Sequence, residues 1–315
     1  MKVDGVLLLD KPVGPSSNDA LQRARRVFSA AKAGHGGTLD PMASGLLPVA
    51  FGEATKFLHD LLEADKTYEA TMCLGITTDS GDAEGAVVAE RAVDALLDDA
   101  AIAAACAAFE GPISQVPPMY SALKRDGRPL YDYARAGIEV EREARPVTVF
   151  AIALLGVDRS DPARPRVTFR ATVSKGTYIR TLAHDIGERL GCGAHLTALR
   201  RTRVGTLSLE RAVPLDVLEA TGADARSRVL LPLDTLVSGL PAVALADALA
   251  DRFIKGQRIV LDPRDRAPLS RAPAGPVRVY RGEALLGIAD FAPPGLLAPQ
   301  RVLATAPRDI TTPHD

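Results

Sequence analysis

Apolar positions along this chain alternate between two periods. Residues 5–9 (Gly-Val-Leu-Leu-Leu) are a short continuous apolar run closed by Asp10-Lys11-Pro12, as in a buried strand. Ser16, Ser17 and Asn18 then offer oxygens for a helix N-terminus. Leu21, Ala24, Phe28 and Ala31 follow at helical spacing, with Arg23, Arg25 and Arg26 off that stripe. Residues 46–51 read as a second short strand. Residues 55–64 read as a helix with Phe57, Leu58, Leu61 and Leu62 inward. Residues 66–77 alternate as a strand does, with Tyr68, Ala70 and Met72 on one face. TTDSGDAEG (77–85) reads as a hairpin turn, because its acidic positions and glycines miss the spacing of an EF-hand. An alanine-rich helix is expected over 94–109, closed by Gly111 and Pro112.

Residues 115–147 break this rhythm with Pro117, Pro118, Gly127, Pro129 and Gly137 around one short helix at 130–136. The stretch is rich in Tyr, Lys and Arg and too long for a plain connector, so it is expected to form a surface lobe. Two strands (147–155 and 166–173) and a helix over 177–190 follow, the helix carrying Ile179, Leu182, Ala183, Ile186 and Leu190 inward. Hairpin-like strand pairs mixed with helices point to an α+β fold. From about 240, short segments rich in Val, Ile and Leu (259–261, 277–280, 284–289, 302–304) lie between Gly/Pro turns, a small all-β pattern.

At 315 residues, 47% of them hydrophobic and 24% charged, the chain is long enough for one large unit and a smaller one. No apolar run approaches the ~20 residues needed to span a bilayer, and the N-terminus, with Asp4 and Asp10, does not read as a signal peptide. Three scattered cysteines, Cys73, Cys106 and Cys192, argue against a disulfide framework or a cysteine zinc site. A reducing, cytoplasmic setting is expected. His184-Asp185 resembles a metal phosphohydrolase pair, but no further His and Asp stand at matching positions, so no metal is expected. The net charge of −1 hides an uneven distribution: residues 60–119 hold two Lys/Arg against twelve Asp/Glu. Residues 175–211 hold seven Lys/Arg against three acids, a local basic excess of the kind that meets phosphate.

The stretch with the most chemical character is GHGGTLDPMASG (34–45). It places one carboxylate, Asp40, among Gly34, Gly36, Gly37 and Gly45, with Pro41 fixing the chain behind it. Taken alone, an Asp-Pro in a Gly-rich loop reads first as an Asx-type turn, with Asp40 bonding its own backbone. The whole stretch, however, resembles the signature loop of the TruB family of tRNA pseudouridine synthases. So do LLLDKPVGPSSND (7–19), ADKTYEA (64–70), QVPPMYSALKRDGRPLYDYARAGIEVEREARPV (115–147) and VSKGTYIRTLAHDIGERLGCGAHLTALRRTRVG (173–205), in the family's order. The segments GQRIVL, VRVYR, LLGIADF and LLAPQRVL resemble a PUA domain, a compact RNA-binding barrel.

The resemblance implies a pseudouridine synthase fold: a mixed, mainly antiparallel sheet flanked by helices over residues 1–238, then a PUA-like barrel and short tail over 239–315. It implies isomerisation of the T-loop uridine of tRNA, position 55, by base flipping and without a cofactor, and grip on the T arm by the lobe at 115–147. Asp40 takes the family's catalytic role, Arg180 its ion-pair partner, Tyr68 and Tyr178 the pocket tyrosines, and Leu199 the pocket leucine. His35 stands where the family's loop histidine stacks into RNA, and Lys11, which matches a lysine near the site, is a further candidate RNA contact. Arg200, Arg201 and Arg203 are candidate phosphate contacts. A monomer with no obligate protein partner and no membrane is expected. A tRNA-binding or tRNA-folding protein with weak or vestigial catalysis is the alternative, disfavoured because a pure binder has no need of the carboxylate beside Tyr68, Tyr178 and Arg180.

Overall fold

The computed structural model describes residues 3–304; the expected tail beyond them lies outside the described residues. The chain runs β1 (Gly5–Lys11), α1 (Ser17–Val27), β2 (Ala33–His35), β3 (Ala43–Phe51), α2 (Leu58–Glu63) and β4 (Lys66–Leu74). A small hairpin, β5 (Ile76–Thr78) and β6 (Val87–Glu90), then α3 (Asp99–Ala107) and β7 (Gly111–Gln115) follow. The lobe holds β8 (Lys124–Arg125), β9 (Arg128–Pro129) and α4 (Leu130–Arg135). Next come β10 (Arg145–Asp158), β11 (Arg166–Val173), α5 (Ile179–Arg189), β12 (Ala194–Val204), β13 (Leu207–Ser208), β14 (Val213–Pro214) and α6 (Leu215–Ala220). The last part holds β15 (Ala242–Ala244), α7 (Asp247–Ile254), β16 (Ile259–Val260), β17 (Gly275–Arg281), β18 (Ala284–Ala292) and β19 (Leu296–Val302).

The fold is α+β. One large sheet runs β14-β1-β3-β12-β4-β11-β10-β7, with β2 beside β3 and β13 beside β12. Its pairs are antiparallel except β1–β14 and β3–β12. α3 and α5 close one face, with Ile102, Leu182 and Ile186 in one cluster with Met72 and Phe169, while α1 and α6 close the β1–β3 end over Leu7, Leu9, Val49 and Phe51. The α1 start is set by a capping box: Ser16 Oγ accepts from the Asp19 amide, and the Asp19 carboxylate accepts from the Ser16 amide. The second sheet, β15-β17-β18-β19-β16, is a curled half-barrel compatible with a PUA-like unit, with α7 against it.

Several sequence expectations shift. α1 ends at Val27, and Ser29 turns the chain at φ 48°, so Ala31 is exposed. Residues 52–57 form a 3₁₀ turn before the short α2, which leaves Leu62 exposed. The strand from Lys66 stops at Leu74 because Gly75 takes φ 83°. α3 starts late: the Asp94 carboxylate caps its own turn at Leu96, and Asp98 is the helix cap, accepting from Ala101. The periods expected after 240 did not include α7.

Candidate active site

Asp40 sits on the loop between β2 and β3, in a β-turn closed by the Ala43 amide donating to the Asp40 carbonyl at 3.0 Å. Proline at the second position of such a turn is pre-set for it. The loop is braced through its backbone from three sides. Ser17, buried in the first turn of α1, takes both polar groups of Leu39: its hydroxyl accepts from the Leu39 amide at 2.7 Å and donates to the Leu39 carbonyl at 2.9 Å. The Gly14 amide donates to the Pro41 carbonyl at 2.9 Å. The Arg201 guanidinium donates to the carbonyls of Gly37, Thr38 and Leu46, at 3.0, 3.4 and 2.8 Å. The close approach that allows this depends on Gly45, at φ 103°, where a Cβ would lie 2.3 Å from the Arg201 carbonyl oxygen.

So braced, the Asp40 carboxylate turns not to its own backbone but to Arg180, at 3.0 Å. Arg180, from the first turn of α5, is 4% exposed. Its other donors reach the Ser80 carbonyl at 2.9 Å, the Tyr120 carbonyl at 2.6 Å and the Asp82 carboxylate at 3.4 Å. Asp82 is itself buried and accepts from Ser80 Oγ at 2.6 Å. A buried cation whose two terminal nitrogens meet two carboxylates and two carbonyls is held in one geometry, and removing both carboxylates would leave an uncompensated charge at a cost of about 3–5 kcal/mol. The sequence reading missed Asp82, because the TTDSGDAEG turn looked complete as a turn. Its one available signal was a further aspartate beside the serine-glycine pair.

Beside Asp40 opens a cavity of about 260 Å³, lined among others by Tyr68, Tyr178, Leu199, Lys66 and Arg180. Tyr68 comes from β4, Leu199 from β12 and Tyr178 from the residue before α5. The chain thus brings together five residues read from sequence. Burial pushes the Tyr178 hydroxyl above its ordinary pKa, so at neutral pH it is a donor and not a phenolate. A second, wider cavity of about 600 Å³ shares Asp40 and Arg180 on its other side and is lined by His35, Asn18, Tyr131 and Arg135. His35 is half-buried. Desolvation first, then the charge of Arg201, lowers its pKa, which leaves a neutral ring at pH 7.

Two expected RNA contacts are corrected. Arg201 is 1% exposed and its guanidinium is used up on loop carbonyls, so it cannot reach phosphate. Lys11 is fully buried, its ammonium donating to the carbonyls of Pro12 and Pro15 at 2.9 and 2.7 Å. Arg200 is partly exposed but pairs with Asp10 at 2.7 Å, and Arg203 is exposed.

Burial pulls the Lys11 pKa down from 10.5 to about 8, against the opposing pull of Asp40. Below pH 8 the folded state carries the full cost of holding the charged form. From pH 8 to about 10.5 the folded state sheds a proton that the unfolded chain keeps, so stability from this group rises with pH. A neutral amine still has two N–H groups for its two carbonyls. Relative to Lys11→Met, the wild type is therefore expected to gain unfolding free energy between pH 7.5 and 9.5. Urea unfolding of both proteins at both pH values checks this, and a difference that stays flat would contradict it.

Comparison with known proteins places the chain among its relatives. Residues 25–179 match the TruB family pseudouridylate synthase N-terminal domain. Residues 180–238 match the tRNA pseudouridylate synthase B C-terminal domain, and 241–303 the pseudouridine synthase II TruB C-terminal family. A tRNA pseudouridine synthase B of Burkholderia mallei (strain NCTC 10247) is 62% identical over 304 residues, covering 96% of this chain and 98% of the relative. One from Ralstonia nicotianae is 57% identical over 306 residues, covering 96% and 94%. Among solved structures, a Cbf5-Nop10-Gar1 complex matches with TM-score 0.70 and 28% identity, over 95% of this chain and 84% of that one. An H/ACA RNP bound to a substrate RNA containing 2′-deoxyuridine matches with TM-score 0.68 and 26% identity, over 95% and 84%. Matches that run almost unbroken from residue 25 to 303, with relatives aligned over nearly their whole length, place the chain in the TruB family of pseudouridine synthases.

Proposed function

We propose that this protein converts the T-loop uridine of tRNA, position 55, to pseudouridine, with Asp40 as the catalytic carboxylate. The reaction breaks the bond from ribose C1′ to N1, turns the base, and joins C1′ to C5; the C5 proton leaves and N1 gains one. Attack at C1′ and addition at C6 both demand an ionised carboxylate facing the uridine before its base is detached. The observation that carries this reading is Asp40, 3.0 Å from a buried arginine, in the wall of a cavity also lined by Tyr68, Tyr178 and Leu199. A base inside a folded RNA loop reaches such a cavity only when extruded, at a cost of a few kcal/mol of stacking. The neutral, half-buried ring of His35, in the cavity on the other side of Asp40, suits stacking into the vacated place. The lobe at 115–147 would grip the T arm and residues 1–238 would carry the chemistry, with the PUA-like unit that starts at residue 239 packed against them in a monomer.

The direct test is incubation with an unmodified tRNA transcript followed by mapping of pseudouridine. None at the T-loop position, with folded protein, would overturn the reading. Of the three arginines at 200–203, only Arg203 is both exposed and without a carboxylate partner among the described residues. Arg203→Ala is expected to weaken tRNA binding and flatten the slope of log K against log salt by about 1 or less. Binding titrations at several salt concentrations check this, and an unchanged slope would remove Arg203 from the interface.

A further inference from the structure

One buried polar side chain near the site has no part in the chemistry above. Gln115 is the last residue of β7, paired with Arg145 of β10 at the neck from which the lobe leaves the sheet. It is 2% exposed. Its amide oxygen accepts from the Tyr178 amide N–H at 3.0 Å, and its amide nitrogen donates to the Tyr178 carbonyl at 3.3 Å. Both ends of one side chain are therefore spent on the backbone of one residue.

That residue is the N-cap of α5, and its own side chain makes no cap bond. Its carbonyl receives the first helical bond, from Leu182, while its N–H faces away from the helix and needs an outside acceptor. A primary amide matches a peptide group in donor, acceptor and spacing, so Gln115 extends the pairing of the edge strand by one residue onto the start of α5. The segment it fixes carries Tyr178, whose ring lines the cavity, and Arg180, which pairs with Asp40. Arg180 also donates to the Tyr120 carbonyl, five residues beyond Gln115 at the start of the lobe. The lobe root and the catalytic ion pair are thus joined twice. Ser17 performs the matching service for the other member of the pair, through Leu39.

We propose that Gln115 is a positioning residue: by clamping the Tyr178 backbone, it sets Tyr178 and Arg180 against Asp40 and ties that arrangement to the neck of the lobe. The inference rests on the proposed synthase reading and deepens it. Misplacement of reacting groups by about 1 Å can cost on the order of a hundredfold in rate, with little effect on binding spread over a wide RNA surface. Gln115→Ala is expected to slow single-turnover pseudouridine formation at saturating tRNA roughly 10- to 100-fold, with Kd changed by less than about threefold.

Gln115→Glu provides the sharper test, because it keeps the volume. As a carboxylate it still accepts from the Tyr178 amide but sets an oxygen against the Tyr178 carbonyl. As a carboxylic acid it regains a donor and copies the amide. Its rate relative to wild type is therefore expected to be low at pH 8 and to recover as the pH falls towards 5.5. Rates are counted per tRNA-binding-competent molecule, so a mere loss of folded protein does not register. A Gln115→Glu protein within about twofold of wild type at pH 8, or one equally slow at both pH values, would overturn the proposal. So would a folded Gln115→Ala protein with an unchanged rate. If Gln115→Ala does not fold, Gln115→Glu decides alone. A wild type that forms no pseudouridine would instead overturn the synthase reading, and this inference with it.

Discussion

Asp40→Asn is expected to give a folded, tRNA-binding protein whose turnover is lower by roughly a thousandfold or more. The size follows from the role: an amide cannot act as the nucleophile or as the counter-charge in either route to the detached base. The survival of the fold follows from how the loop is held. Its braces run through the backbone of Gly37, Thr38, Leu39 and Pro41, and none uses the Asp40 carboxylate. The substitution changes almost no volume. Arg180 is not orphaned either, since Asp82, the Ser80 carbonyl and the Tyr120 carbonyl still face it. Asp40 is 39% exposed at its side chain, so its pair with Arg180 is also partly screened by water. Stability is expected to move by no more than about 1 kcal/mol. Single-turnover assays beside thermal melts and tRNA titrations check all three statements. A folded variant with more than a tenth of wild-type activity would remove Asp40 from the chemistry.

How far such a site is legible in the sequence depends on how local its causes are. The Asp40 loop was legible because glycine and proline act on their own dihedrals: Gly37 and Gly45 do adopt positive φ, and the turn after Asp40 is the one Pro41 favours. The start of α1 was legible for the same reason, since its capping box lies within four residues. Arg201 was misread because its surroundings are not local. Residues 194–204 form a strand inside the sheet, between β3 and β4, so its side chains point alternately to two faces, with a bulge between Arg201 and Arg203. Three arginines in four residues therefore have three fates: paired with Asp10, buried under the loop, and exposed. Without the strand assignment they read as one basic cluster. Lys11 was misread in a related way. The carbonyls it satisfies belong to the next four residues, but its burial is imposed by the strand that carries it.

The same limit governs the C-terminal part, where truncation after residue 238 is expected to damage the whole protein and not only its hold on RNA. The alternating apolar positions after 240 suggest a self-contained barrel, and half of them do form one: Val277, Val279, Leu286, Phe291 and Leu297 pack with Phe253 of α7. The other half do not. Leu285, Ile288 and Leu303 are buried in one cluster with Val6, Leu8, Phe57, Leu61, Leu236 and Val237 from the first part of the chain. Polar bonds border this seam: Arg301 pairs with Asp60 at 2.5 Å, Lys56 donates to the Val302 carbonyl at 2.9 Å, and the Ala304 amide donates to Glu53 at 2.7 Å. Removing one buried Leu or Ile side chain costs about 2–5 kcal/mol, and three of them together rival the roughly 5–15 kcal/mol that holds a typical domain folded. The seam also lies behind Leu46 of β3, whose carbonyl anchors Arg201 beneath the Asp40 loop. A protein ending at 238 is therefore expected to melt at least about 10 °C lower, or to be insoluble, and to lose rate on a short T-arm hairpin as well as on full-length tRNA. Melting curves of both proteins, with single-turnover rates on both RNAs, make the comparison. A truncated protein that melts with the full chain and loses only its KM for full-length tRNA would show that the seam is a contact between independent units.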